Sequence, residues 1–474
     1  MEKKSKDALL SLIRDGKPMT LQEQLLLTAK LSAPAILAQL SSILMQYIDA
    51  SMLGRLGANE AASVGLVSTT IWLFGGLCFA FIAGFSVQVA HRIGASDNHG
   101  ARQVLRQAIS CTAIFAILLT SIGIAISGML PHWLGGGDEI CHDASLYFLV
   151  YSATIPFTMM FYLSSGMLRC SGNMKVPSIL SISMDILDVI FNFLLIFPTH
   201  RFTIGGIHIT IPGADLGVLG AALGTAIAFV ITSSILLWYL LRRSKELSII
   251  GEAGSFSPSL PCLRKAVKIS LPMGMERTVM CGAQIAITAI VAPLGPIAIA
   301  ANSFGITAES LCYMPGYGIS DAATTLVGQS IGARRSDLTK RFASIALCLG
   351  ISIMTITAAV MYLAAPLMMQ IMTNHPDIIA LGSEILRIEA FAEPMFAASI
   401  VCYGIFVGAG DTLMPSIMNF GSIWLVRLTL AFALAPTMGL KGVWTAMCIE
   451  LCFRGLIFLA RLKWGNWHAA SAHQ

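Results

Sequence analysis

The sequence predicts an all-α integral membrane protein with twelve transmembrane helices, built as two six-helix bundles related by a parallel internal repeat. Three observations predict it. Of 474 residues, 56% are hydrophobic and 12% charged, against roughly 25% charged in a soluble protein. The mean hydropathy of +0.77 implies more apolar surface than a water-facing globule can hide. Apolar runs near the ~20 residues needed to cross a hydrocarbon core recur twelve times, and the chain matches itself at a single offset of 238 residues.

The runs lie at 30–53, 61–90, 107–130, 145–168, 176–197 and 216–241, then at 269–292, 298–328, 342–365, 380–407, 415–436 and 439–460. They are numbered here as spans 1 to 12. Ahead of them, residues 1–29 read as a cytoplasmic segment without a cleavable signal, because the stretch to Lys17 is charged. Thr20-Leu-Gln-Glu23 is a capping box that starts a helix running into span 1, and residues 5–14 read as an interfacial turn.

The repeat sets Leu31-Ser-Ala-Pro34 over Ile269-Ser-Leu-Pro272, Ile93-Gly-Ala95 over Ile331-Gly-Ala333, and Pro177-Ser-Ile179 over Pro415-Ser-Ile417. One offset held over about 145 residues divides the chain into an N-lobe, 30–241, and a C-lobe, 269–461. A charged linker, 242–268, joins them, and 462–474 is a tail. Six spans per lobe is an even number, so both lobes enter from one face, leaving a cleft between them. The register is lost after span 5, where the loop from Thr199 to Gly213 is longer in the first half. Within that loop Phe202 to Ile211 alternates around Gly205-Gly206 and reads as an outside β-hairpin.

Orientation follows from the basic residues, which cytoplasmic loops retain. Of 30 Lys and Arg, 23 fall on the side of the termini and linker. Four (Arg55, Arg201, Arg387, Lys441) fall on the opposite side, and Arg277, Arg427 and Arg454 lie within spans. Both termini are therefore expected in the cytoplasm, with the chain multi-pass in the inner (plasma) membrane. The net charge of +5 is spread over short clusters and predicts no nucleic-acid partner. None of the eleven cysteines forms a C-x-x-C, so neither disulfides nor zinc are indicated.

Ionisable side chains at membrane depth cost about 2.5 to 3.5 kcal/mol each, so each needs a partner, a wet cavity or a function. In span 1, Gln39, Ser42, Gln46 and Asp49 are spaced 3, 4 and 3 and share one stripe. In span 5, Asp185, Asp188 and Asn192 are spaced 3 and 4. A carboxylate beside an amide suits a dehydrated proton or small cation, or else caps a neighbouring helix. The second half carries Glu276 and Arg277 in span 7, a stripe of Asn302, Glu309, Tyr313 and Ser320 in span 8, Glu389 and Glu393 in span 10, and Arg427 in span 11. At the repeat offset Asp49 lies over Ile287 and Asp188 over Val426, so the first half's acids are not duplicated. Two readings of Glu276 and Glu393 stand: they bind substrate cations, or they neutralise Arg277 and Arg427. Glu450 and Arg454, at i, i+4, read as a structural pair, and His91 as interfacial. No enzyme is indicated. Asp185-x-x-Asp188 has no second acidic motif beside it, and Gly135-Gly-Gly137 has no Walker lysine.

Three segments carry a family resemblance. Ser165-Gly-Met-Leu-Arg-Cys-Ser-Gly-Asn-Met-Lys-Val-Pro177, its counterpart Gly404-Ile-Phe-Val-Gly-Ala-Gly-Asp-Thr-Leu-Met-Pro415, and Leu326-Val-Gly-Gln-Ser-Ile-Gly-Ala333 resemble the multidrug and toxic compound extrusion (MATE) family. Pro34 to Gly57, with Asp49 ahead of Gly54-Arg-Leu-Gly57, is similar to that family's first helix. The resemblance implies a twelve-helix antiporter exporting organic cations in exchange for protons or sodium, with no other cofactor. Asp49 matches the coupling aspartate of the proton-linked branches. The family commonly places Asn before Asp in span 5, whereas here Asp188 precedes Asn192. Glu276 lies about a turn earlier than the glutamate of the sodium-linked branch, and Phe396 stands where that branch's span 10 aspartate is expected.

On this reading Asp49, with Asp188, Asn192 and Asp185, forms the coupling site, holding a proton or the influence of a substrate cation but not both. Sodium, if used, sits near Asp49 and Asp188 or near Glu276. A tenfold uphill gradient costs about 1.4 kcal/mol, and one pH unit supplies about the same. Gln46, Tyr47, Glu276, Met280, Tyr313, Glu389 and Glu393 are the candidates for the substrate cleft, aromatic and methionine surfaces being adaptable. The protein is expected to work as a monomer in the bilayer. The alternative is a flippase for lipid-linked saccharides in a related superfamily, against which twelve spans and an acidic cleft argue.

Overall fold

The computed structural model describes residues 5–204 and 207–467. Spans 1 to 6 are Leu21–Leu56, Ala58–Gly94, Asn98–Ser127, Asp138–Cys170, Lys175–Ile196 and Gly217–Arg242. Spans 7 to 9 are Leu260–Val291, Pro296–Gly332 and Ser336–Met372. Span 10 is two pieces, Pro376–Ala390 and Glu393–Gly408, and spans 11 and 12 are Leu413–Met438 and Leu440–Trp464. Ten of these helices are apolar enough to cross a membrane by themselves, and the broken pair makes an eleventh. Span 8 is long enough at 37 residues; Asn302, Glu309, Asp321 and Gln329 dilute its hydropathy.

Spans 1, 3, 7 and 9 begin six to nine residues earlier than hydropathy predicts. Hydropathy registers only the hydrocarbon slab, whereas helices continue into the interface wherever a cap starts them. For span 1 that cap is the capping box: Glu23 N–H donates to Thr20 Oγ1 and Thr20 N–H donates to Glu23 Oε2. The same extension corrects the linker. Span 7 already begins at Leu260, so the segment between the lobes is 243–259. It is held on span 3 by Arg102, which donates to Glu246 O at 3.0 Å, and by buried Arg106, which donates to Glu252 O at 2.7 Å.

The repeat is visible in the backbone. Gly172 and Gly410, 238 residues apart, close equivalent turns at φ +89° and +78°, a left-handed conformation that glycine adopts without penalty. Where the halves differ, the cause is local. Span 10 bends by 58° between its pieces because Pro394 lacks an N–H and its ring would strike the carbonyl of Ala390, the last residue of the first piece. Span 11 contains a π-helical turn, Ser422–Arg427, one residue wider than an α-turn. The outside hairpin pairs β1 (Pro198–Ile204) antiparallel with β2 (Ile207–Ala214), Phe202 facing Ile209. The predicted Gly205-Gly206 turn lies outside the described residues.

Span 1 packs on span 8 and span 2 on span 7, the arrangement expected of a pseudo-twofold. Spans 2 and 8 also cross at the face carrying most of the basic residues, hereafter the basic face. There a methyl group on Gly94 would overlap the Gln329 carbonyl, and one on Gly332 the His91 carbonyl. His91, expected at the interface, instead sits in this crossing with a ring nitrogen 2.8 Å from Gly408 O. Lys6–Arg14, expected as an interfacial turn, is a helix that buries Leu9, Leu10 and Ile13 against Met174, Ala322, Leu326 and Phe342 from both halves. Its apolar stripe finds protein instead of lipid because Lys6 donates to Gly172 O (2.9 Å), Arg14 pairs with Glu246 (3.0 Å) and Arg335 donates to Leu12 O (3.3 Å).

Candidate functional site

Spans 1 and 5, both odd-numbered, run in the same direction, so their polar stripes align rung by rung. Ser42 Oγ donates to Asp185 Oδ2 at 3.4 Å. Seven residues on, Asn192 Nδ2 donates to Asp49 Oδ1 at 3.0 Å, with the same separation of 143 residues between partners. Asn192 Nδ2 also donates to Asp188 Oδ2 at 3.2 Å. One amide nitrogen thus holds two carboxyl groups, and these lie within hydrogen-bonding reach of each other.

The pair is asymmetric. Asp188 and Asn192 are 0% and 2% exposed, while Asp49 is half-buried. Span 6 seals the rear: Gly224 packs so closely on Asn192 that a methyl group there would overlap Asn192 Oδ1. Two oxygens of the cluster, Asp188 Oδ1 and Asn192 Oδ1, are buried without a donor among the described residues. Such groups, held out of water, have unused capacity to bind a proton or a cation.

In the second half, Glu276 accepts from Tyr403 Oη (2.8 Å), Ser416 Oγ (2.8 Å) and Asn419 Nδ2 (2.7 Å). Among the described residues it forms no close ion pair with Arg277, whose side chain lies against Gly76 of span 2. Nor does Glu393 neutralise Arg427. That arginine donates twice to Glu450 Oε2, at 2.9 and 2.6 Å, where Arg454 and Ser422 also converge. The π-turn at Ser422–Arg427 presents both of its ends to Glu450. Helical spacing identifies neighbours on one helix, so it found Arg454 and missed Arg427.

Of the cleft candidates, Met280 and Tyr313 line a cavity of about 200 Å³ together with Asn302, Glu309, Arg427 and Arg454, all from the second half. Gln46 is exposed and Tyr47 half-buried on span 1; neither borders this cavity. Glu389 and Glu393 are fully buried beside it. The structure therefore places the carboxyl pair and this cavity in different halves.

At the basic face the halves are bound to each other. Arg169 pairs with Asp321 at 2.5 Å, Thr325 Oγ1 donates to Arg169 O (3.0 Å) and Gln329 Nε2 to Cys170 O (2.8 Å). Gln39, from the stripe of Asp49, hydrogen-bonds Asp321.

A family model described as MatE matches residues 34–194 and again 272–433, two copies whose starts are 238 residues apart. The chain belongs to the MATE family. Among curated relatives, a probable multidrug resistance protein NorM of Thermotoga maritima is 26% identical over 444 residues, 92% of each chain. An uncharacterized transporter of Bacillus subtilis is 25% identical over 89% of this chain and 90% of its own. The solved structure of a multidrug resistance MATE family transporter in an outward-facing conformation superposes with a TM-score of 0.86, at 21% identity and over 100% of both chains. Both family matches end close to the polar residues of the fifth span of each half. The MATE repeat therefore contains the carboxyl pair in one copy and Glu276 with its three donors in the other. Sequence reading overlooked Asp321 and Gly224. Asp321 had a signal, an acid inside an apolar run; Gly224 had none, since only the packing of span 6 on span 5 gives it a role.

Proposed function

We propose that this chain exports organic cations in exchange for protons by alternating access, with Asp49, Asp188 and Asn192 as the coupling site. The observation that carries the reading is the single Asn192 amide nitrogen held between two carboxyl groups, one sealed and one half-open. Two carboxyls this close in an apolar surround favour sharing a proton over carrying two charges. An arriving organic cation supplies an alternative positive charge at Asp49. Occupation by one disfavours the other, and that exclusion converts a proton gradient into export. Asp185, one rung towards the basic face and tied to Ser42, supports the stripe.

The moving bodies are the two lobes, 30–241 and 269–461. The Arg169–Asp321 pair and the crossing of spans 2 and 8 hold the basic face shut, the state expected to face outward with both termini cytoplasmic. Sodium has one observation in its favour, the donor-free Asp188 Oδ1 and Asn192 Oδ1, since oxygens are what a hard cation takes.

Ethidium efflux, read as its uptake into everted vesicles with pH and sodium gradients imposed separately, tests the reading. Efflux is expected under the pH gradient alone, and Asp49→Asn is expected to reduce it to background while leaving ethidium binding measurable. Asn retains the size and hydrogen bonding of a protonated Asp but cannot cycle its charge. Wild-type efflux by Asp49→Asn would place coupling elsewhere, and efflux driven only by sodium would assign the same oxygens to that ion.

A further inference from the structure

A cavity of about 1050 Å³ opens at the basic face between the two halves. One wall is the end of span 2 and the start of span 3, another the start of span 7, and the third the turn between spans 8 and 9. Five cations line it, Arg92, Lys265, Arg334, Arg335 and Lys340, against one carboxylate, Asp97. The Gly100 amide, aided by Arg92 at 2.7 Å, keeps the Asp97 carboxyl below its usual range, so at neutral pH it is fully charged and matched to Arg92. Arg335 is occupied with Leu12 O, Lys17 O and Asp337. Lys265, Arg334 and Lys340 have no ion-pair partner among the described residues, so three unpaired cations face one space.

The backbone adds an independent observation. Arg334 is held at φ +56°, in the left-handed region where a side chain is disfavoured and glycine or asparagine is usual. Its repeat equivalent is Ser96, at φ +60°, so the turn closes without an arginine. A long cation kept at a strained position is aimed into a cavity already rich in positive charge, and that crowding raises the energy of the empty site. An anion offsets the repulsion.

We infer that this cavity is a binding site for a phosphate group, contributed by a free phosphate compound or by the headgroup of an anionic lipid. Guanidinium and ammonium donors of the second half converge on it, opposite His99 and the Arg92–Asp97 pair of the first, which suits the several acceptor oxygens of a phosphate. On the alternating-access reading given above, a filled site bridges the halves where they must part and so holds the basic face shut. The binding test below stands without that reading.

The full chain in phosphatidylcholine nanodiscs is titrated by calorimetry with inorganic phosphate and, separately, with a short-chain phosphatidic acid. Saturable binding is expected, weakened at least tenfold in Lys265→Gln/Arg334→Gln. Lys175→Gln/Arg242→Gln, which removes equal charge from the same face outside the cavity, should stay within about twofold of the parent. Phosphatidic acid that displaces phosphate in the parent identifies lipid as a source, and phosphate alone identifies a soluble one. Arg334→Gly separates ligand binding from folding: it relieves the strained turn, so the melting temperature should rise while binding weakens. Absence of saturable binding by either probe, or equal weakening in the control pair, overturns the proposal.

Discussion

The Asp49–Asp188 pair of the first half and the best-satisfied carboxylates of the second, Glu450 and Glu276, lie on a shared backbone and treat buried charge in opposite ways. In the second half Glu450 is answered by two arginines and a serine, and Glu276 by three neutral donors, while Glu389 and Glu393 bury carboxyl oxygens that have no hydrogen-bond partner among the described residues. In the first half Asp49 and Asp188 share one amide nitrogen, with the Thr225 hydroxyl beside Asp188, and have no ion-pair partner among the described residues. A fully answered carboxylate is fixed in one charge state by its surroundings, and its removal is a stability event. A carboxylate left short of partners responds to what arrives, and its removal is a coupling event. The scaffold is present twice, and the acids left short of partners stand at different places in its two copies.

Substitutions that neutralise without changing shape sharpen this contrast. The largest effect is expected at Glu450→Gln, which leaves Arg427 and Arg454 buried against a neutral amide. Breaking a buried pair in this way costs about 3 to 5 kcal/mol, and the monodisperse fraction recovered in detergent should fall steeply. Normal yield with lost transport would place Glu450 among the coupling groups and erase the contrast. Asp188→Asn strands no cation, so its yield should be near normal, but proton-driven ethidium efflux should drop at least tenfold, about 1.4 kcal/mol of coupling. Glu276→Gln retains an acceptor for its three donors, of which the hydroxyls can reorient. A loss of about 1 to 2 kcal/mol in thermal stability with efflux within threefold is expected; abolished efflux would move the coupling site into the second half. The smallest change is expected at Asp185→Asn, whose partners are the hydroxyls of Ser41 and Ser42, the latter long at 3.4 Å. Its efflux should stay within twofold, and a larger loss would extend the site along the whole stripe.

Much of the fold was legible because a bilayer imposes one coarse rule, apolar runs about 20 residues long, and because the repeat states it twice. Span ends were less legible, since the capping box at Thr20 and Glu23 operates outside the slab that hydropathy reads. The first-half site was half legible. Spacing put Asp185, Asp188 and Asn192 on one face and Ser42 and Asp49 on another, but that the faces meet rung by rung is a fact of packing. In the second half spacing misled, because Arg427 finds Glu450 on a different helix through a π-turn with no signature in composition. The inter-half lock was invisible for a similar reason. Arg169 reads as one more topological basic residue until Asp321, 152 positions away, is seen beside it.

The N-terminal helix has a consequence for how the protein is made. Leu9, Leu10 and Ile13 are synthesised about 310 residues ahead of Ala322, Leu326 and Phe342, which form part of their cover. At about 5 to 20 residues per second, roughly 15 to 60 s pass between the appearance of one surface and the other. During that interval the helix has only its first-half partners, Leu27, Leu31 and Met174, and the rest of its apolar stripe can be sheltered at the membrane surface, where an amphipathic helix of this kind can lie. Its docking is therefore completed only once spans 8 and 9 are in place, and a fusion that holds this helix away from them would spoil the finished protein without touching any span.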